Sequence, residues 1–267
     1  KNEIMKNTII TSNPTLTTSS NNTNDKSGLY KSTLTNTGDS TYYFRGNVEN
    51  NYVSFAGYTW RIVRINEDGT IRIIMQDGIN DNTAYQFNSR YDNYTYMYYT
   101  NSEAKIKLEE WYQENIGSNT DLSQKVVTGD YYCEQAKVKY DDSYTTGDAT
   151  MTTYTSYTPN FKCTTDGNGK GIVNASVGLI TYDEVVYAGG YYGQSNSNYY
   201  LNNNKYFWTM SPAGFSGSTS SVWYVFTSGY VSHDSVNNTN ALRPVLILKA
   251  DTLATGDGTS NNPYVIK

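Results

Sequence analysis

The chain has 267 residues, of which 37% are hydrophobic, 17% charged and 15% aromatic, and 20 Lys and Arg face 25 Asp and Glu for a formal net charge of −5. A chain of this length and apolar content can bury roughly three-quarters of its unfolded surface, which excludes disorder throughout. The acidic balance argues against nucleic acid as a partner, and no apolar run approaches the roughly 18 residues of a membrane-spanning helix.

Residues 1–28 carry Asn, Thr and Ser in runs, with an apolar patch at Ile4, Met5, Ile9 and Ile10. Two readings stand. The stretch is a linker to an anchor, or it is an extended arm whose β-prone Thr8-Ile9-Ile10-Thr11 adds a strand to a neighbouring subunit. The start at Lys1, without an initiator Met or a signal-peptide core, leads us to expect a mature or trimmed ectodomain.

From residue 29 to 267 the pattern is that of one α+β domain, mostly antiparallel strands with two short helices. Aromatic and β-branched runs predict strands at 42–45, 52–55 and 60–65. Asn66-Glu67-Asp68-Gly69 then predicts a hairpin turn into 70–75, with Ile71, Ile73 and Met75 on one face and Thr70 and Arg72 on the other. Asn101-Ser102-Glu103 opens a helix with Ala104, Leu108, Trp111, Tyr112 and Ile116 at helical spacing, and Gly117 ends it. A second helix is expected at 181–188, with Thr181 as N-cap, Asp183 and Glu184 in the first turn and Gly189-Gly190 as the stop. Strands resume at 206–210, 222–226, 230–232 and 242–248, separated by Gly, Ser and Asn turns. No repeat of 20 to 50 residues is present, which disfavours a solenoid or propeller.

Tyr outnumbers the other aromatics, 28 against 7 Phe and 4 Trp, and lies among Asn, Ser and Thr, as in Tyr91-Asp92-Asn93-Tyr94-Thr95-Tyr96. A rigid ring with a hydroxyl suits contact surfaces, so an extracellular or cell-surface location is expected. In that setting the two cysteines, Cys133 and Cys163, favour one disulfide over a metal or catalytic thiol pair, because C-x-x-C spacing is absent and the chain has a single His. Closing the excursion at 136–161 would remove roughly 3 to 4 kcal/mol of unfolded-state freedom.

Catalytic signals are sparse. His233 lies beside Asp234 and Ser235, which invites a hydrolase reading, but adjacent strand residues point to opposite faces and no G-x-S-x-G elbow is present. Carboxylates are scattered rather than paired in apolar settings. Asp166-Gly167-Asn168-Gly169-Lys170-Gly171 opens like a calcium loop, yet Val177 stands where the bidentate Glu belongs, so a Gly-rich turn is the better reading. Asp257-Gly258-Thr259 with Asn261-Asn262 also reads as a turn, and no phosphate-binding or dinucleotide fingerprint appears. Neither a cofactor nor a metal is expected.

The series Val177-Gly178-Leu179-Ile180-Thr181-Tyr182-Asp183-Glu184, Phe207-Trp208-Thr209-Met210-Ser211-Pro212, Val236-Asn237-Asn238 and Leu242-Arg243-Pro244-Val245-Leu246 resembles the C-type-lectin-like fold. More closely, it resembles the bacterial branch related to the formylglycine-generating enzyme and to the variable proteins of diversity-generating retroelements. Tyr42-Tyr43-Phe44-Arg45-Gly46 and Trp60-Arg61-Ile62-Val63-Arg64-Ile65 are similar to the opening strands of surface proteins of low-GC Gram-positive bacteria. The resemblance covers roughly 40–267 as an ordered string of motifs. It implies structural roles for Trp208, Arg243 and Pro244, and a displayed ligand surface at Phe215, Trp223, Tyr224, Tyr230, His233, Asp234, Asn237 and Asn238. The stretch 213–240 has the Ser, Gly, Asn and aromatic composition of an adaptable contact surface, although Trp223, Tyr224 and Phe226 also suit a core, Trp223 equally and Phe226 better than display. The active-site cysteines of the formylglycine-generating enzyme and the calcium and sugar signatures of animal lectins have no counterpart here.

The expectation is a non-enzymatic extracellular protein binding a protein or glycan. The alternative is a subunit of a surface filament or layer, self-associating through Ile4, Thr8, Ile9 and Ile10. A hydrolase built on His233 is a third reading.

Overall fold

Alternating apolar residues and Gly, Asn and Ser turns divide the chain into many short strands, and the result is a mixed α+β fold. The computed structural model describes residues 3–14, 16, 25–135, 138–140, 149–151, 158–164, 171–216, 218–250 and 252–266. In chain order the strands are β1 (Ile9–Ile10), β2 (Gly28–Ser32), β3 (Thr41–Arg45), β4 (Tyr52–Phe55), β5 (Tyr58–Ile65), β6 (Ile71–Met75), β7 (Ala84–Gln86), β8 (Gly129–Cys133), β9 (Val138–Tyr140), β10 (Ala149–Met151), β11 (Ile172–Ala175), β12 (Tyr191–Tyr192), β13 (Phe207–Ser216), β14 (Thr219–Val225), β15 (Tyr230–Ser235), β16 (Thr239–Ala241), β17 (Val245–Leu248), β18 (Leu253–Thr255) and β19 (Tyr264–Ile266).

The first sheet has nine strands. Its order runs β1-β2-β3-β5-β4-β19-β18, with β6 on the free side of β5 and β17 beyond it. The β5–β6 hairpin forms as its turn chemistry predicts: Asn66 donates its backbone N–H to the Thr70 carbonyl at 2.8 Å, Gly69 takes φ +86°, and Ile65 pairs with Ile71 and Trp60 with Met75. Its facing differs from the expectation, because every residue of β6 is buried. Strand β6 lies between β5 and β17, and both faces of the sheet are covered there, so Arg72 is packed inside.

The second sheet has six strands in the order β12-β15-β14-β13-β16-β7. Two-stranded ladders join β9 to β10 and β8 to β11. The helix Glu103–Tyr112 is capped by the Ser102 side chain, which accepts the Lys105 N–H, and it buries Ala104, Leu108, Trp111 and Tyr112. A π-helical stretch, Gln113–Gly117, continues it and adds buried Ile116 to the same stripe. The helix Tyr182–Ala188 begins in a capping box between Thr181 and Glu184 and stops at Gly189, and all seven of its residues are buried. Burial of its acidic first turn was not foreseen, and it positions the charges described below.

One contiguous apolar cluster joins the two sheets, including Trp60, Ile62 and Ile73 from the first and Trp208, Met210 and Trp223 from the second. A smaller aromatic cluster of Tyr30, Tyr43, Phe161 and Tyr187 lies apart, with Phe161 stacked on Tyr187 at 4.1 Å. Cys163, two residues beyond Phe161, forms the expected disulfide with Cys133 at the end of β8.

The N-terminal residues supply an edge strand of the first sheet. Strand β1 pairs in parallel with β2 of its own chain, Ile9 opposite Leu29 and Ile10 opposite Tyr30, and Ile4 is fully buried in the main core. The physical reason is that an edge of the first sheet lies within reach of these isoleucines, so their apolar area is covered intramolecularly. Thr8 precedes this pairing, and residues 17–24 of the Thr- and Asn-rich run lie outside the described residues.

Candidate functional site

Strand pleating sorts the second sheet into two unlike faces. Residues two apart share a face, so Tyr224 stands with Phe226 on one side while Trp223 and Val225 take the other. Cross-strand register places Trp208 opposite Tyr224, Ser232 opposite Tyr224, and His233 opposite Trp223.

On the first side the rings form a row. Phe226 lies 5.2 Å from Tyr206, 4.8 Å from Tyr224 and 4.6 Å from Tyr230 between ring centroids. Trp208 backs the row against Tyr224 at 5.9 Å and is held by its indole N–H, which donates to the Tyr85 carbonyl at 2.9 Å. Exposure rises along the row: Tyr224 is buried, Phe226 and Tyr230 are half-buried, and Tyr206 is 44% exposed. Burial, and then the nearby Asp234 carboxylate, push the Tyr224 phenol well above its ordinary value, so it remains a neutral ring.

Asp234 shares the Tyr230 face by alternation and marks the polar end of the surface. Its carboxylate accepts the Ser235 N–H at 2.9 Å and the Asn238 amide at 2.6 Å. Asn237 is drawn into the same turn, its side-chain oxygen accepting the Ser235 hydroxyl and its carbonyl accepting the Gln86 amide, each at 2.6 Å. Rings and hydrogen-bonding groups are thus laid along one face, an arrangement suited to stacking with flanking polar contacts.

Five of the eight expected display residues, Tyr230, His233, Asp234, Asn237 and Asn238, keep exposed surface. Phe215, Trp223 and Tyr224 are buried and do not present their rings. Trp223 is the clearest correction: its ring is enclosed by Tyr182 at 4.9 Å, Tyr192 at 5.5 Å and His233 at 5.5 Å and has no exposed surface. His233 lies edge-on to this core ring, and burial, opposed by Asp234, lowers its pKa. It therefore projects away from Asp234, and adjacency in sequence does not place the two side chains together here. Tyr206 and Phe226 were not among the expected residues. The signal for them was present in the two-residue alternation of 206 with 208 and of 224 with 226.

A second polar feature went unread because its residues lie on separate elements. Glu184 Oε1 receives Arg72 Nε at 2.7 Å and Arg64 Nε at 3.1 Å, and its other oxygen accepts the Thr181 N–H at 3.0 Å. Burial alone would raise the Glu184 carboxyl, but Arg72 and then Arg64 bring it below the usual glutamate range. These side chains form the floor of a cleft of about 270 Å³ beneath the Cys133–Cys163 disulfide.

Among the described residues no group of three or more His, Cys, Asp or Glu side chains is arranged to hold a metal ion, and no helix is long and apolar enough to cross a membrane. Asp257 closes a turn by accepting the Thr259 N–H and hydroxyl at 3.0 and 2.7 Å. The Asp166 loop lies outside the described residues. Comparison with known proteins returned no match: no family model, no curated protein and no solved structure aligns with the chain.

Proposed function

We propose that the chain is a non-enzymatic extracellular binding protein with a C-type-lectin-like domain, whose second sheet receives a protein or glycan on the row Tyr206, Phe226 and Tyr230. The observation that carries this reading is the exposed ring of Tyr206 continuing a row of packed rings. An aromatic fixed by its neighbours loses little conformational entropy when a sugar face or an apolar side chain stacks on it. Asp234 on β15 and Asn238 in the turn that follows it supply hydrogen-bonding groups.

Glycan and protein arrays probed with the purified chain test it. Tyr206→Ala combined with Tyr230→Ala should weaken capture at least tenfold while circular dichroism and melting temperature stay near those of the parent. Capture unaffected by both substitutions would overturn the assignment. The structural-subunit reading draws less support, since β1 already completes an edge of its own sheet.

A further inference from the structure

The turn of the β5–β6 hairpin borders the cleft beneath the disulfide, and the hydrogen bonds there leave an imbalance. The floor cations are engaged within the protein. Arg72 binds Glu184 and donates to the Tyr131 carbonyl at 2.9 Å and the Leu179 carbonyl at 3.4 Å, while Arg64 lies between Glu184 and Glu67, the latter at 3.3 Å. Lys162, the remaining cation of the lining, is solvent-exposed, as are the carboxylates of Asp68 and Asp130.

What the cleft has in excess is acceptors. Thr70 gives its hydroxyl proton to Asp68 Oδ1 at 2.6 Å, so it can only accept from Asn66, whose Nδ2 lies 2.9 Å away. This fixes the Asn66 amide with Oδ1 turned away from Thr70. That oxygen has no hydrogen-bond partner among the described residues, and Asn66, only 6% exposed, lines the cleft. A buried acceptor left unsatisfied costs about 1–3 kcal/mol. One hydroxyl away, Asp68 also accepts the Tyr131 hydroxyl at 2.8 Å. Burial opposes its ionisation, but the bonds from Thr70 and Tyr131 outweigh it and keep the carboxyl below its ordinary value. Asp130 adds a further carboxylate to the lining.

We propose that this cleft binds a primary alkylammonium group, whose N–H donors are taken by Asn66 Oδ1 and the Asp68 carboxylate. The chemistry follows from the surplus: a ligand supplying several N–H donors and one positive charge satisfies the amide oxygen and forms a charge-assisted bond to Asp68. A lysine side chain and an amino sugar both carry that group. The site is separate from the aromatic row and stands or falls independently of it.

Titration calorimetry on the intact, oxidised chain tests the proposal with n-butylammonium, glucosamine and tetramethylammonium chlorides at matched ionic strength. n-Butylammonium or glucosamine should bind saturably, and the tighter of the two identifies a lysine-like or an amino-sugar source. Tetramethylammonium, which has charge but no N–H, should bind at least tenfold more weakly. Asp68→Asn, which keeps the shape of the turn, and Asn66→Leu should each weaken the ammonium ligand at least tenfold, while Lys162→Ala should leave it unchanged or tighter. Absence of saturable heat, equal affinity for tetramethylammonium, or unchanged affinity in a folded Asp68→Asn or Asn66→Leu variant would overturn the proposal.

Discussion

Replacing Glu184 by Gln removes one charge from the most buried ionic cluster among the described residues. Glu184 and Arg72 have almost no exposed side-chain surface, and Arg64 has little. The amide can still accept the Thr181 N–H, so the helix cap survives, but two guanidinium groups lose their shared counter-ion. Arginine does not discharge to relieve this. Breaking a buried pair from one side costs about 3–5 kcal/mol, a large fraction of the roughly 5–15 kcal/mol that holds a domain together. At roughly 2–4 °C per kcal/mol for a chain near this size, the melting temperature should fall by about 6–20 °C. Urea unfolding at pH 7 reads the same loss as a lower midpoint. The pH dependence supplies an independent check. Because the folded carboxyl titrates below its unfolded value of about 4.3, its stabilisation is complete above that pH and disappears as pH falls through the lower folded value. The parent should therefore lose stability in acid more steeply than Glu184→Gln, and the two should converge. A Glu184→Gln variant within about 1 kcal/mol of the parent at pH 7 would refute the reasoning.

Three further outcomes separate fold from surface. Changing Cys133 and Cys163 to Ser together should lower stability by roughly 3–4 kcal/mol in thermal unfolding, the loop-entropy value for a sequence separation of 30. Trp223→Ala should cost about 3–5 kcal/mol in denaturant unfolding, whereas Tyr206→Ala should stay within about 0.5 kcal/mol, because only the first leaves a cavity. Gly229→Ala should destabilise the β14–β15 hairpin beyond the roughly 1–2 kcal/mol of a left-handed residue, since at φ +74° its Cβ would meet the Asn196 carbonyl oxygen at 1.9 Å. Hydrogen exchange at Phe226 and Tyr230 would report that loss locally.

The parts of this protein legible in its sequence are those whose cause lies within a few residues. The β5–β6 hairpin follows from a turn spanning Asn66 to Thr70, and the helix Tyr182–Ala188 follows from Thr181, Glu184 and Gly189. The Ala104 to Ile116 stripe is set by helical spacing. Cys133 and Cys163 had only each other to pair with. Which face of a strand would be covered was decided elsewhere. Trp223 is a core residue because the Tyr182 and Tyr192 rings cover it, and Arg72 meets Glu184 across the fold. Arg64 and Glu184 are 120 positions apart, and Trp208 and the Tyr85 carbonyl that holds it are 123 apart. The N-terminal isoleucines pair with β2 of their own chain, a partner that the run 8–11 by itself does not specify. Local hydrogen bonds, caps and periodicity are properties of a short window, so the sequence by itself determines the elements. Burial depends on which distant surfaces come to share an area, and that only the tertiary structure decides.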